Sequence, residues 1–211
     1  VMYRSKYLFS EEFIWTTSLN FRSEDYTVVA VIEFDGKGIV GSLKTLIADS
    51  VLNDLIQDRK IFHSGDIIKE LTQELDAAGS KELQCEMKVS VALFDNNAKT
   101  LQFSGINQDM IIFDGEEMVV LEGESPEHAY DLMADKIEIT EGSTYYMFSN
   151  GYYNQENQDG VKFSQEKFEE MLKSIHTKPL NEQYQFLSQT IDDWKGDSGL
   201  NDDISIIGFK L

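Results

Sequence analysis

A chain of 211 residues, 41% hydrophobic and 11% aromatic, is long enough to close one substantial α/β core, and a single domain over 1–211 is the economical reading. Its formal charge of −20, from 38 acidic against 18 basic side chains, argues against a nucleic-acid partner, because a phosphate backbone is held by clustered Lys and Arg. No apolar run approaches the roughly 18 residues of a membrane span, no signal-peptide pattern opens the chain, and Cys85 is alone, so a reduced, cytoplasmic domain without membrane insertion is expected.

Residues 1–15 are apolar and aromatic apart from Glu11-Glu12, and read as a connecting segment. The β-branched run Val28 to Ile32 is too short for a helix and predicts a strand buried on both faces. It ends in Glu33-Phe34-Asp35-Gly36-Lys37-Gly38, after which Leu43, Leu46, Ile47, Val51, Leu52, Leu55 and Ile56 recur at helical spacing with Ser42 near the start. Ser64 caps a second helix with inner face Ile67, Ile68, Leu71 and Leu75. Strands follow: Met87 to Leu93, a turn at Asp95-Asn96-Asn97, then Leu101 with Phe103. Asp114-Gly115 marks a hairpin between Met110–Phe113 and Met118–Leu121. Ile137 with Ile139, and Tyr145 to Phe148, add two more strands before Ser149-Asn150-Gly151.

The last third predicts a helix through Phe168, Met171, Leu172 and Ile175 and another, beyond Pro179, through Tyr184, Leu187, Ile191 and Trp194. A polar loop, Asp197 to Asp203, leads into a final strand, Ile204 to Phe209. With no repeat, low-complexity tract or linker, the fold class is α+β, sheets with helices packed on their outer faces.

Three turns at strand ends carry oxygen ligands: Glu33 to Gly38, Ser149-Asn150-Gly151 and Asn201-Asp202-Asp203. Strand ends can converge in space, and hard divalent cations take carboxylate, carbonyl and water oxygens. Taken singly, each turn is ordinary acidic-glycine chemistry. His63, His128 and His176 share no ligand spacing and read as surface histidines; Ser149 has no paired histidine and reads as a turn residue rather than a nucleophile. Tyr145, Tyr146, Tyr152 and Tyr153 read as strand core and rim, and Asp95 to Lys99 fails the EF-hand pattern because Lys99 stands where an oxygen is required.

In order and spacing together, these turns resemble the SpoIIE-like branch of the PP2C-type metal-dependent serine/threonine phosphatases, from about Asp25 to Leu211. Glu33-Phe34-Asp35-Gly36-Lys37-Gly38 fits that family's Asp-x-Ser-Gly-(His/Lys)-Gly turn with Glu at the metal-binding Asp. Ser149-Asn150-Gly151 stands at its Thr-Asp-Gly turn, and Asp202-Asp203-Ile204-Ser205 at its Asp-Asp-Ile-Thr. The resemblance implies a PP2C-like β-sandwich flanked by α-helices and hydrolysis of phosphoserine or phosphothreonine on a regulatory protein, such as an anti-sigma-factor antagonist, by water held on Mn2+ or Mg2+. It implies no catalytic residue apart from the metal site. Carried over by position, the ligands are Glu33, the carbonyl of Phe34, Asn150 and Asp202, with Asp203 a neighbouring candidate. A turn shifted by two residues offers Asp35 and Gly36 instead.

The departures from the pattern bear on activity. Glu33 keeps the charge but moves the carboxylate by about one bond length, a large displacement for octahedral magnesium. Asn150 keeps an oxygen and deletes a charge. The family's upstream Gly-Gly-Asp turn, expected near Thr16-Thr17-Ser18, has no carboxylate there. Two readings follow: a weak, metal-limited phosphatase holding one ion or none, and a pseudophosphatase that signals by binding its partner.

Overall fold

The computed structural model describes residues 1–35, 39–78, 86–130 and 132–210, with the side chain of Asp135 left out. Gly36 and Cys85 lie outside the described residues. The strands are β1 (Met2–Arg4), β2 (Glu12–Phe21), β3 (Glu24–Phe34), β4 (Met87–Asp95), β5 (Thr100–Ile106), β6 (Met110–Asp114), β7 (Glu117–Leu121), β8 (Asp135–Glu138), β9 (Thr144–Phe148) and β10 (Ile204–Lys210). The helices are α1 (Ile39–Asn53), α2 (Ser64–Ala78), a short α3 (Gly151–Asn154), α4 (Gln165–Ile175) and α5 (Leu180–Lys195). Two antiparallel five-stranded sheets form, one in the order β2-β3-β4-β5-β8 and the other β1-β10-β9-β6-β7. Residues 1–15, read as a connection, supply β1 and the start of β2, and Met2 is buried.

Alternation along the strands sorts the core into three layers. Val28, Ala30, Ile32 and Phe34 face α1 and α2, meeting Leu52, Leu55, Ile68 and Leu71. Val29 and Val31 point the other way, onto Tyr145, Met147 and Ile207 of the facing sheet. Tyr146, Phe148, Ile204 and Ile206 pack under α3 to α5 against Tyr152, Phe168, Leu172 and Ile191. Helix, sheet, sheet, helix is the expected α+β sandwich, because each sheet buries both of its faces.

The buried side of α1 differs from the periodicity reading. Gly41, Lys44, Ala48 and Leu52 are buried, whereas Leu43 and Leu46 are exposed. Lys44 lays its stem inward with its ammonium over the Phe34 ring, 5.8 Å from the centroid, and so occupies a position that an apolar count skips. After Asn53 the helix loosens into a π-helical stretch, Asp54–Asp58, that still buries Leu55 and Ile56.

Candidate functional site

The inter-sheet layer is apolar along most of its length and turns polar at one end. Glu12, Glu33 and Lys88 stand directly opposite one another on β2, β3 and β4. They share the face that carries Val29 and Val31, because residues at even spacing line one side of a strand. From the facing sheet Ser149 and Ser205 approach, joined by the Ser205 amide donating to Ser149 Oγ (3.1 Å).

The register comes from the β2–β3 hairpin. Arg22 and Ser23, at φ 53° and 68°, form its two-residue turn, pairing Phe21 with Glu24 and, nine residues along each strand, Glu12 with Glu33. Left-handed φ at both central residues is the primed-turn geometry usually written Asn-Gly. The acidic residue one strand before the first motif is therefore Glu12, upstream of the Thr16 to Ser18 position expected for it.

Glu12 is 2% exposed and neither of its carboxylate oxygens has a hydrogen-bond partner. Burial pushes its pKa up to about 8; the Ser205 and Ser149 hydroxyls oppose that rise, and the charges of Glu33 and Asp203 add to it. Neither hydroxyl reaches hydrogen-bonding geometry with Glu12, and Ser205 Oγ is itself unpaired. Glu33 is buried and likewise raised, first by burial and then by Asp202 and Asp35, against the pull of Lys88. Lys88 Nζ donates to Glu33 Oε1 in a close ion pair, and Glu33 Oε2 has no partner.

The Asn150 turn closes on this end of the sandwich. A Cβ on Gly151 would stand 1.8 Å from the Asp203 carbonyl oxygen, so only glycine lets the α3 entrance press on the Asp203 backbone. Asn150 Oδ1 is buried and unpaired. Glu12, Glu33 and Asn150 together leave four buried oxygens without a hydrogen-bond partner.

Asp203 is different. Its Oδ1 accepts from the Lys6 amide (2.7 Å) and Ser5 Oγ (3.4 Å), and its Oδ2 from Ser10 Oγ (2.5 Å) and the Glu11 amide (3.1 Å). The carboxylate thus fastens the 5–11 segment across the sheet end, and its oxygens are spent on that task. Asp202 is exposed and accepts from the Asp203 amide (2.9 Å). Phe34 buries its ring against α1 and α2, and the exposed Asp35 donates its amide to the Glu86 carbonyl.

These residues border a cleft of about 240 Å³ lined by Lys6, Tyr7, Phe9, Glu11, Glu12, Glu33, Phe34, Asp35, Asn201, Asp202 and Asp203. Six of the lining side chains are carboxylic and one is a lysine. Asn150 is not among the residues that line the cleft. Among the described residues no three His, Cys, Asp or Glu side chains converge on a point where a metal ion would sit. The unpaired oxygens of Glu12, Glu33 and Asn150 are hard donors of the kind a divalent cation takes.

His176 departs from the surface reading. It is buried, stacks on Phe113, and sets its ring nitrogens against the carbonyls of Lys173 (2.7 Å) and Gly115 (2.9 Å). Tyr145, Tyr146 and Tyr152 are core residues, as expected. No helix among the described residues is long and apolar enough to cross a membrane.

The comparisons with known proteins follow the same geometry. The chain aligns over its full length with the SiaA-PP2C domain of Pseudomonas aeruginosa, covering 84% of that chain at TM-score 0.88 and 22% identity. It also aligns over its full length with the PP2C phosphatase domain and regulatory fragment of SpoIIE from Bacillus subtilis, at TM-score 0.74 and 12% identity over 61% of that chain. RsbX in complex with magnesium superposes on 98% of the chain, covering 91% of RsbX, at TM-score 0.66 and 11% identity. At these identities the likeness shows the fold, a PP2C-like sandwich. No curated protein matches the chain. The Stage II sporulation protein E (SpoIIE) family profile matches residues 23–211, and the chain belongs to that family.

Proposed function

We propose that this domain removes phosphate from a phosphoserine or phosphothreonine of a regulatory protein in a bacterial signalling pathway, using one weakly held divalent cation between Glu12 and Glu33. The supporting observation is the set of four buried, unpaired acceptor oxygens of Glu12, Glu33 and Asn150 at the end of the sandwich. Membership of a phosphatase family supports the reaction class. When bound, Mn2+ or Mg2+ supplies Lewis-acid neutralisation of phosphoryl oxygens and acidifies a coordinated water.

The chain's own residues set the limits of that activity. Glu12 and Glu33 offer carboxyl oxygens that a divalent cation would have to deprotonate or free from Lys88, and Asn150 contributes a neutral oxygen in support. Asp202, exposed at the cleft, is placed to orient water or a second-sphere hydrogen bond rather than to complete a cage. Asp203 holds the 5–11 segment in place and so shapes one wall of the cleft. With six carboxylic side chains against Lys6, the cleft repels a bare phosphate, so admission of a phosphorylated partner depends on a cation. Cytoplasmic residence, expected from a single cysteine, belongs to the same proposal.

One observation favours the second reading, a pseudophosphatase. Lys88 already neutralises Glu33, the job a metal ion would do there. Such a module would recognise the unphosphorylated partner, since its cleft disfavours phosphate. Calorimetric titration with Mn2+ and Mg2+, followed by assays on an aryl phosphate and a phosphoserine peptide, separates the two. Heat of binding and slow metal-dependent turnover are expected, rising in the variant Glu33→Asp with Asn150→Asp. Absence of heat and turnover at millimolar metal, in wild type and double variant alike, would leave the binding module.

A further inference from the structure

Lys88 belongs to no motif of the sequence, yet it completes the Glu12–Glu33–Lys88 row across three adjacent strands. Its side chain is 23% exposed while that of Glu33 is 9% exposed, so the ammonium reaches in from the solvent edge to a carboxylate already inside. It satisfies one oxygen of Glu33 and leaves Glu33 Oε2 and both oxygens of Glu12 unpaired. An isolated structural ion pair would be expected to leave no buried acceptors beside it.

We propose that Lys88 is a tethered cation that competes with a divalent ion for Glu33 and so sets the metal affinity of the site. The proposal rests on the single-cation reading above. With Lys88 in place an incoming ion meets a row one unit more positive than it would be without the ammonium, and gains Glu33 Oε1 only by displacing it. The displaced side chain has somewhere to go, because a four-carbon stem with an exposed end can swing its charge into water. A lysine suits this role better than an arginine, whose planar fork would hold the carboxylate at two points. In this account Lys88 is a specificity-determining residue, favouring ions that repay the displacement and keeping the site closed at low metal.

The test measures binding rather than turnover. Free Mn2+ is followed by electron paramagnetic resonance during titration of the whole chain as wild type, Lys88→Met, Lys88→Gln and Lys88→Arg. Removing one partner of a largely buried pair leaves the other charge uncompensated, so Lys88→Met should tighten Mn2+ binding on the order of tenfold or more. Lys88→Gln, which retains a donor for Glu33 and serves if the methionine variant does not fold, should tighten it less. Lys88→Arg should bind no more tightly than wild type. Wild-type affinity in both neutral variants, or no binding in any of the four, would overturn the role of Lys88. The underlying cation reading falls if Glu33→Asp with Asn150→Asp also fails to bind Mn2+, so the two failures are distinguishable.

Discussion

Two buried polar clusters in this domain are built to opposite rules. Beneath α5, Gln183 accepts from the Tyr146 hydroxyl (2.7 Å) and donates to the carbonyls of His176 (3.0 Å) and Lys178 (2.8 Å). Tyr152 beside it donates to the Leu187 carbonyl (2.9 Å). At the end of the sandwich, Glu12, Glu33 and Asn150 leave four buried oxygens without a hydrogen-bond partner. The first cluster joins helix to sheet and has no further capacity. The second costs stability as it stands, which is the expected property of groups arranged for a ligand instead of for one another.

The contrast is sharpest under mutation. Gln183→Ala strands the Tyr146 hydroxyl, takes one of two donors from each of the His176 and Lys178 carbonyls and opens a void, and should destabilise the domain by roughly 2–4 kcal/mol in urea denaturation. A loss under about 1 kcal/mol would mean that the α5 cluster is not the satisfied network described.

Glu12→Gln should act in the opposite direction and only above acid pH. The native Glu12 keeps its proton up to about pH 8, while the unfolded chain releases it near 4.5. Between those values the folded state binds more protons, so its stability falls as pH rises through that window, and Glu33 contributes with the same sign. In the presence of a chelator, the glutamine variant should match wild type near the acid end of the window and exceed it by about 1–3 kcal/mol at the alkaline end. A pH-independent difference in melting curves would remove desolvated Glu12 from the account.

The smallest effect belongs to a surface tie. Arg4 grips Asp192 through two nitrogens (2.6 and 2.9 Å) and Ser188 Oγ (2.5 Å), linking β1 to α5 at a partly exposed position. Arg4→Ala should cost about 0.5–1 kcal/mol, with most of the difference screened by salt. A larger loss would place the first strand, rather than the α5 cluster, at the centre of that sheet's stability.

The layered fold was legible because both sheets bury both faces, and runs such as Val28 to Ile32 and Tyr145 to Phe148 can hardly be anything else. The α2 face, Ile67, Ile68, Leu71 and Leu75, was equally plain. Of the candidate site, Glu33, Asn150 and Asp202 were reached from the order and spacing of their motifs. Glu12 was hidden because its partner is set by a hairpin whose turn, Arg22-Ser23, has none of the Asn-Gly chemistry that marks such turns. Counting back from that turn would have found it. Lys88 carried no signal at all, since an isolated lysine at the start of a strand reads as a solvated edge until register places it against Glu33. The inward Lys44 was passed over and the buried His176 misread for the same reason: their stems and rings pack like apolar groups while their letters count as polar.

The claim beneath all of this is that the orphaned oxygens await a cation. A chain of charge −20 will gather Mn2+ loosely over its surface, so the decisive quantity is a saturable site that depends on a buried side chain. Equilibrium dialysis of wild type and Glu12→Ala against Mn2+ at moderate salt measures it directly. The account predicts one saturable Mn2+ per wild-type chain and only diffuse, salt-sensitive binding in the variant. Indistinguishable isotherms for the two proteins would contradict it.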